Sequence, residues 1–149
     1  MRHDFDVTEV LAKPLMAHLA SHSAAGPRDS PLWFLWEEEA IWLIGRTRDS
    51  FVQRLRVEPR CAVGVVDFDV GRGVLRHVGI RGTAEIQSMC EQRLQRLLRR
   101  YLGDDITSWN AWFVAHVVEP LDAMIRVIPH SIVANNYSYF KTGPETLSA

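Results

Sequence analysis

The sequence predicts an α+β fold in which five or six antiparallel strands form a small barrel or strongly curved sheet, with two or three helices inserted. Three observations support this prediction. A dense apolar run extends from Pro31 to Ile44 and is interrupted only by three glutamates. Apolar and polar residues alternate from Val78 to Ile86, as in a strand, and a helical apolar stripe follows Ser88.

The length and composition are those of an ordinary globular protein. The 149 residues fit one domain covering 1–149, which can bury roughly two thirds of its unfolded surface. Apolar residues make up 47% and charged residues 23%. No apolar run approaches the roughly 20 residues that span a bilayer, and the first residues do not form a signal peptide. We therefore expect a cytoplasmic protein that binds neither membranes nor, with its acids and bases balanced, nucleic acid.

The apolar run "SPLWFLWEEEAIWLIG" is interpreted as two strands, Pro31 to Trp36 and Ala40 to Ile44, each buried on both faces. Only Glu37 to Glu39 separate them, so they must pair as an antiparallel hairpin with the glutamates at its turn. One face can line the core. We expect a partner subunit or a flat ligand to cover the other.

The segments around this hairpin predict further strands and a short helix. Residues 1–13 suggest an arm or short helix, and a strand, turn and second strand are favoured over a helix from Pro14 onward. A helix capped by Asp49 or Ser50 is expected to end at Glu58, because Pro59 follows.

The next two segments predict a β-hairpin, with "CAVGVVDFD" as one arm, "VGRG" as the turn and the segment from Val74 to Ile86 as the other. In the second arm, His77, Arg81, Thr83 and Glu85 share a polar face opposite an apolar one.

Two more helices and a final strand complete the prediction. Ser88 and Glu91 suggest a capping box for a helix that stops at Gly103. A second helix is expected from about Thr107 to Val118, with Trp109 and Trp112 on its inner face, and a strand from about Ala123 to Ala134 must place Pro129 at an edge or a bulge. The apolar stripe of the first helix and the remaining inner face of the second are Leu94, Leu97, Leu98, Tyr101, Phe113, His116 and Val117.

Candidate chemistry is concentrated at the junction before the first helix. Residues 46–50, "RTRDS", place guanidiniums and hydroxyls where unpaired backbone N–H groups and the helix dipole favour an anion. From the residues alone, a solvated turn with an ordinary cap is the favoured interpretation of the junction. His77 is interpreted either as a ligand-binding group or as a surface histidine.

Other chemistry finds no support in the sequence. We see no zinc, P-loop or dinucleotide pattern and no nucleophile beside a base, so no metal site is expected and the catalytic residues are unknown. His18 and His22 lie on one side of their segment without a third ligand. Cys61 and Cys90 are expected to be buried thiols, and the arginines of the helix after Ser88 a solvated face. Those arginines are Arg93, Arg96, Arg99 and Arg100.

Three segments together resemble the pyridoxamine 5'-phosphate oxidase-like family of split β-barrel flavoproteins. They are "PLMAHLASHSAAGPRDSPLWFLWEEEAIWLIG", "LRVEPRCAVGVVDFD" and "LRHVGIRGTAEI", in the family's order and spacing, and they cover roughly residues 14–87. The resemblance implies an antiparallel split β-barrel with flanking helices, and a homodimer that holds flavin mononucleotide (FMN) at the subunit interface. The hairpin's second face would then pack against the partner and the flavin ring.

The resemblance also implies which residues bind the cofactor. Trp33 and Phe34 would shape the slot for the ring, arginines near the helix start would hold the phosphate, and His77 would bond a polar edge. The whole set is Ser30, Pro31, Leu32, Trp33, Phe34, Ile44, Gly45, Arg46, Arg48, Asp49, Ser50, Arg54 and His77.

The sequence departs from the family at two places. Phe51 stands where the phosphate turn usually has a lysine, and the C-terminal segment lacks the arginine and histidine pattern that holds pyridoxamine phosphate. The resemblance therefore implies an FMN-dependent oxidoreductase acting on another small molecule. The alternatives are a non-catalytic protein that binds flavin, deazaflavin or haem, and a dimeric barrel whose ligand site has decayed.

Overall fold

The computed structural model describes residues 4–111 and 121–139. Within these ranges, three α-helices, one short 3-10 helix and seven strands follow one another. The helices are α1 (Val7–Leu11), α2 (Ser50–Val57) and α3 (Glu91–Leu102), and the 3-10 helix is Ile106–Ser108. The strands are β1 (Ala17–Ser23), β2 (Gly26–Leu32), β3 (Leu35–Glu37), β4 (Ala40–Gly45), β5 (Arg60–Asp69), β6 (Val74–Ser88) and β7 (Ala123–Asn136).

The strands form one sheet in the order β2-β1-β5-β6-β7-β4-β3, and every pair in it is antiparallel. β6 and β7 are the longest strands, with 15 and 14 residues, and they connect the two halves of the sheet. This arrangement confirms the predicted α+β class built on a curved antiparallel sheet. The expected number of five or six strands is wrong, because the described residues form seven.

The extra strand arises where the apolar run changes its partner. Leu32 pairs with Ala17 of β1, whereas Leu35 pairs with Trp42 of β4. Residues 33 and 34 lie between these pairings, in neither strand. The predicted single strand from Pro31 to Trp36 is therefore divided between the two ends of the sheet.

The predicted β3–β4 hairpin is confirmed, with Glu38 and Glu39 at its tip. Both residues have positive φ, 54° and 53°, as a two-residue turn of the type that matches strand twist requires. Positive φ at two consecutive glutamates is unfavourable, by roughly 1–2 kcal/mol each. The pairing on either side of the turn must compensate for it.

The barrel interior is filled by the inward-facing residues of the sheet and closed by two helices. Val63, Val65, Val78 and Ile80 are at most 1% exposed and face this core from β5 and β6. The predicted inner face of α2 is confirmed, since its apolar residues pack into the same cluster. These residues are Phe51, Val52 and Leu55.

The outer face of the β3–β4 hairpin packs against α3 of the same chain. Leu94, Leu97 and Leu98 form a second apolar cluster with Trp42 and Met124. The expectation that a partner subunit or a flat ligand covers this face is therefore wrong. The sequence shows a helix with an apolar stripe, but not which strands the stripe lies on.

The two ends of α3 differ in how well they were predicted. Gly103, with φ 90°, ends the helix as expected. The predicted capping box is wrong, because β6 extends to Ser88 and the N-cap is Cys90, which makes no side-chain cap hydrogen bond.

A β-bulge lies at Pro129, as predicted. Arg81 and Gly82 are adjacent in β6, yet their partners in β7 are two residues apart, so His130 is an extra residue. A Cβ at Gly82 would lie 2.4 Å from the carbonyl oxygen of Ile128. Only glycine allows the two strands to approach this closely.

The predicted helix from Thr107 to Val118 lies largely outside the described residues. In its described part, the 3-10 helix ends at Ser108 and Trp109 follows it. Trp109 is buried and donates its indole N–H to the carbonyl of Gly103 at 2.9 Å. No helix in ranges 4–111 and 121–139 is long and apolar enough to cross a membrane.

Candidate functional site

The junction between β4 and α2 is closed by Asp49. Its carboxylate accepts a hydrogen bond from the backbone N–H of Arg46 at 2.8 Å, and it makes no cap bond to α2. Gly45 is tightly enclosed, since a Cβ there would lie 2.8 Å from the ring of Phe51. The aromatic ring at position 51 therefore fills space beneath the junction.

A second carboxylate binds the neighbouring residue. Asp122 accepts hydrogen bonds from the backbone N–H of Thr47 at 2.8 Å and from the Thr47 hydroxyl. These bonds, side-chain first and then backbone, lower the pKa of Asp122. Two carboxylates thus already occupy donors at the predicted phosphate turn.

Arg54 connects the predicted phosphate turn to the predicted ring slot. It donates from Nε to the hydroxyl of Ser21 and from Nη2 to the hydroxyl of Ser30, both at 3.0 Å. These bonds attach α2 to β1 and β2. Arg54 and Ser30, both predicted site residues, are therefore in direct contact.

Trp33 and Phe34 occupy different environments. The ring of Trp33 stacks on that of Tyr101, with centroids 4.5 Å apart and planes 2° from parallel. Phe34 is fully buried in the barrel core, and the Arg100 guanidinium lies 4.7 Å from its ring centroid. The expectation that the Phe34 side chain shapes a surface slot is wrong, because this side chain faces inward.

Tyr101 clamps the connection between β2 and β3. The Tyr101 hydroxyl accepts from the backbone N–H of Phe34 at 3.0 Å and donates to the carbonyl of Leu15 at 2.7 Å. Burial raises the pKa of Tyr101 and lowers that of Arg100. The sequence analysis placed Tyr101 only on an apolar stripe and missed this role.

The remaining residues of the predicted turn and slot are more accessible. Pro31, Arg48 and Ser50 are exposed, whereas Leu32 and Ile44 are half-buried. Because Ser50 begins α2, it lies where an anion would meet the helix start.

His77 lies apart from these residues, on the outer face of β6. A Cβ at Gly79 would be 3.0 Å from its ring, and one at Gly64 would be 3.7 Å from it. The imidazole thus extends over two glycines of neighbouring strands. They form the floor of an open groove of about 440 Å³ that also reaches His18 and Arg81.

A second groove, of about 380 Å³, adjoins the first. Both grooves are lined by Ala20, Ala62 and Arg81, so together they form one depression across β1, β5, β6 and β7, which we call the outer groove. The second end is lined by His22 and His130 as well as arginine side chains. The alternation in the sequence placed His77 and Arg81 on one polar face of β6. It could not predict which residues of the other strands lie beside them.

No group of three His, Cys, Asp or Glu side chains in the described residues could hold a metal ion. His18 pairs with Asp29 at 3.1 Å. Cys61 and Cys90 are free and half-buried, and burial raises the pKa of Cys61 to about 11.

The prediction that the arginines of α3 form a solvated face is wrong for some of them. Arg93 and Arg96 both donate to the carboxylate of Glu37, at 2.6 and 2.7 Å, and Arg100 is half-buried. Arg99 is exposed. The prediction that Glu37 belongs to the hairpin turn is also wrong, because Glu37 lies in β3 and joins the hairpin to α3.

Comparisons with known proteins place this geometry in a known fold. No family model matches the sequence, and no curated protein matches it. Among solved structures, a conserved hypothetical protein from Mycobacterium tuberculosis has a TM-score of 0.72 at 18% identity, with 98% of this chain and 95% of that chain covered.

Two further similar structures have functional names. One is an F420 reductase, with a TM-score of 0.65 at 25% identity, covering 84% of this chain and 94% of that one. The other is a candidate pyridoxamine 5'-phosphate oxidase from Listeria innocua, with a TM-score of 0.63 at 14% identity, covering 89% and 96%.

The chain therefore has the split β-barrel fold of the pyridoxamine 5'-phosphate oxidase-like proteins. This confirms the predicted fold class and the resemblance on which it rested.

Proposed function

We propose that the protein is a flavin-binding oxidoreductase that takes FMN and acts on a small molecule other than pyridoxamine phosphate. The observation that carries this proposal is the outer groove, an open depression whose floor has no side chain beyond Cβ at Ala20, Ala62, Gly64 and Gly79. A flat ring system fits such a floor. The names of the structural neighbours support a flavin or deazaflavin as the ligand.

The chain's own residues would position the ring and supply hydrogen bonds. His77 lies over the glycine floor, where either ring nitrogen can meet a polar edge of a ligand. A bound flavin would supply the hydride chemistry, so the protein needs no conspicuous acid or base of its own. The side chains of the groove would exclude water from the covered face.

The cofactor phosphate is proposed to bind at the start of α2, near Ser50, with Arg46, Arg48 or Arg54 as the countercharge in place of the usual lysine. The helix start and its dipole favour an anion there. A phosphate at Thr47 would have to displace the carboxylate of Asp122.

We also propose that the protein is a homodimer in which a second copy covers the outer groove. Val66 and Phe68 are 43% and 58% exposed, and both point outward from β5 beside the groove. Apolar side chains on an open sheet face favour burial against a partner. Sedimentation should then give twice the mass of the 17.0 kDa chain.

The proposal is tested by the visible absorption spectrum of the purified protein, with mass spectrometry of any small molecule released on denaturation. Retained FMN, or saturable binding of added FMN, is the expected result. The matched variant is Gly64→Val, which fills the floor of the groove; a Cβ at this position lies at an ordinary contact distance, 3.7 Å from Nε2 of His77. Gly71→Ala in the exposed β5–β6 turn is the control.

The outcomes separate the alternatives. If Gly64→Val binds FMN as tightly as the wild type does, the groove is not the ring site. Binding of FMN that no nicotinamide nucleotide can reduce would indicate a carrier or sensor rather than an oxidoreductase. Failure to bind flavin, deazaflavin or haem would indicate a barrel with a decayed site.

A deazaflavin is the second candidate, because the F420 reductase is the neighbour with 25% identity. Direct competition between FMN and a deazaflavin for the purified protein distinguishes the two cofactors.

A further inference from the structure

We propose that the end of the outer groove formed by His22, Arg60, Arg81 and His130 is a binding site for a phosphate or carboxylate group of a small-molecule ligand. We call these four residues the cationic end. The proposal goes beyond the function proposed above, because an anion can bind here whether or not the ring bound to the groove is a flavin.

The charge of this end is of one sign. Among the described residues, its lining includes the two arginines and two histidines but no aspartate or glutamate. Arg60 donates from Nε to the carboxylate of Glu58, which does not line the groove. The Arg81 guanidinium makes no hydrogen bond or ion pair with any residue in ranges 4–111 and 121–139, so it is available to a ligand. A chain with a formal net charge of −1 therefore concentrates positive charge at one place.

The sheet register places the two arginines close together. Arg60 lies opposite Thr83 and Arg81 lies opposite Ala62, so both arginines point outward as diagonal neighbours on β5 and β6. Diagonal neighbours in an antiparallel pair are roughly 7–8 Å apart, within reach of long side chains. Two guanidiniums at this spacing can converge on one anionic group, each with a planar fork of donors.

The β-bulge brings an imidazole to the same place. His130 is the extra residue of β7, and its Nε2 lies 2.6 Å from the hydroxyl of Thr83, which fixes the ring. Bulges often redirect a side chain beside a functional site. Here the bulge, which Gly82 permits, adds an imidazole to the lining of the cationic end.

The floor between these four side chains allows a ligand to approach closely. Ala20 and Ala62 face each other across β1 and β5, and neither has a side chain beyond Cβ. The volume at this end, about 380 Å³, suits a small anionic group and leaves the glycine end of the groove for the rest of the ligand. The group could belong to a cofactor or to a substrate, since both present the same chemistry.

Inorganic phosphate is the first probe. We expect a saturable titration that shifts the NMR signals of the Arg81 guanidinium and the His22 and His130 rings, with little change at His18, which lies toward the other end and pairs with Asp29. Arg81→Gln should weaken phosphate binding at least about fivefold, as expected for loss of a charge-assisted bond. Arg72→Gln, the same change in the turn at the far end of the β5–β6 hairpin, should leave it unchanged.

Two results would overturn the proposal. One is a phosphate titration in which the shifts of these NMR signals never saturate. The other is an equal loss of phosphate affinity in Arg81→Gln and Arg72→Gln. Thermal unfolding of both variants shows that each is folded, which is expected because both arginines are exposed.

The source of the anion is decided by comparing FMN with riboflavin. If Arg81→Gln weakens FMN but not riboflavin, the group is the cofactor's phosphate. If both flavins bind the variant normally while free phosphate does not, the group belongs to a substrate. If phosphate binds and no flavin does, the proposed function fails and the cationic end remains.

Discussion

The guanidinium of Arg93 lies 3.6 Å from the centroid of the Trp42 ring, and Arg93 also donates to Glu37 at 2.6 Å. Arg93 comes from α3, while Trp42 and Glu37 belong to the β3–β4 hairpin. A stacked guanidinium with an ion pair at its edge is possible only for arginine. This arrangement is the polar margin of the apolar contact between α3 and the hairpin.

Arg93→Ala should lower the free energy of unfolding by about 2 kcal/mol, because it removes a partly desolvated cation–π contact and leaves Glu37 with one fewer partner. Urea denaturation measures the change. Arg99→Ala is the matched control, since Arg99 lies on the same helix and is exposed, and it should cost less than about 0.5 kcal/mol. Equal losses in the two variants would contradict a specific role for Arg93.

The Glu37 ion pairs should make stability depend on acid pH. Hydrogen bonds from Arg96 and then Arg93 lower the pKa of Glu37 from 4.5, more than burial raises it. Because the pKa is lower in the folded state, the stabilisation is complete above the unfolded value and is lost as pH falls through the folded one.

Glu37→Gln should therefore lose less unfolding free energy than the wild type when the pH is lowered from about 6 to about 3.5. Denaturant melts at the two pH values provide the measurement. Glu39→Gln, at the exposed hairpin tip, is the control and should behave as the wild type does. Parallel pH dependence in Glu37→Gln and the wild type would rule out the linkage.

Local patterns were sufficient to predict most of the fold. The alternation in β6, the stripe of α3 and the start of α2 at Ser50 each depend on neighbouring residues, and each is present. The division of the apolar run after Ser30 between β2 and β3 was not predicted, because it depends on which distant strands pair with each part. The cover of β4 by α3 was missed for the same reason.

The candidate site was harder to predict because it is assembled across strands. Alternation put His77 and Arg81 on one face of β6, but the register that adds Arg60 and His130 is a tertiary property. Asp122 is 75 residues from Thr47, so no spacing rule could connect them.

Gly82→Ala should destabilise the bulge. The added Cβ would lie 2.4 Å from the carbonyl oxygen of Ile128, a backbone atom that can move only if the β6–β7 pairing shifts. We expect a loss of about 3 kcal/mol in unfolding free energy, at the upper end of overpacking effects. In Gly71→Ala, the nearest atom is at an ordinary 3.4 Å, and that variant should unfold like the wild type. A tolerated Gly82→Ala would show that the strands are less closely packed here.

Asp122→Asn tests the phosphate turn at α2. The carboxylate of Asp122 occupies the donors of Thr47 and would repel a phosphate placed there. Removing its charge should strengthen FMN binding by about fivefold at low salt and leave riboflavin unaffected. Fluorescence titration with the two flavins measures both affinities. If FMN affinity does not change, the cofactor phosphate does not bind at Thr47, and the cationic end of the outer groove is the alternative.

Cys61 should react slowly with thiol reagents, although it lines the outer groove. Burial raises its pKa to about 11, so at pH 8 the thiolate, which is the reactive form, is roughly one part in a thousand. In a Cys90→Ser variant, where Cys61 is the remaining cysteine, modification by a disulfide reagent should be at least about tenfold slower than that of a free thiol of ordinary pKa. Guanidinium denaturation should restore the normal rate. Rapid modification in the folded variant would mean that the start of β5 separates from its neighbouring strands, because a closed sheet leaves this thiol half-buried and protonated.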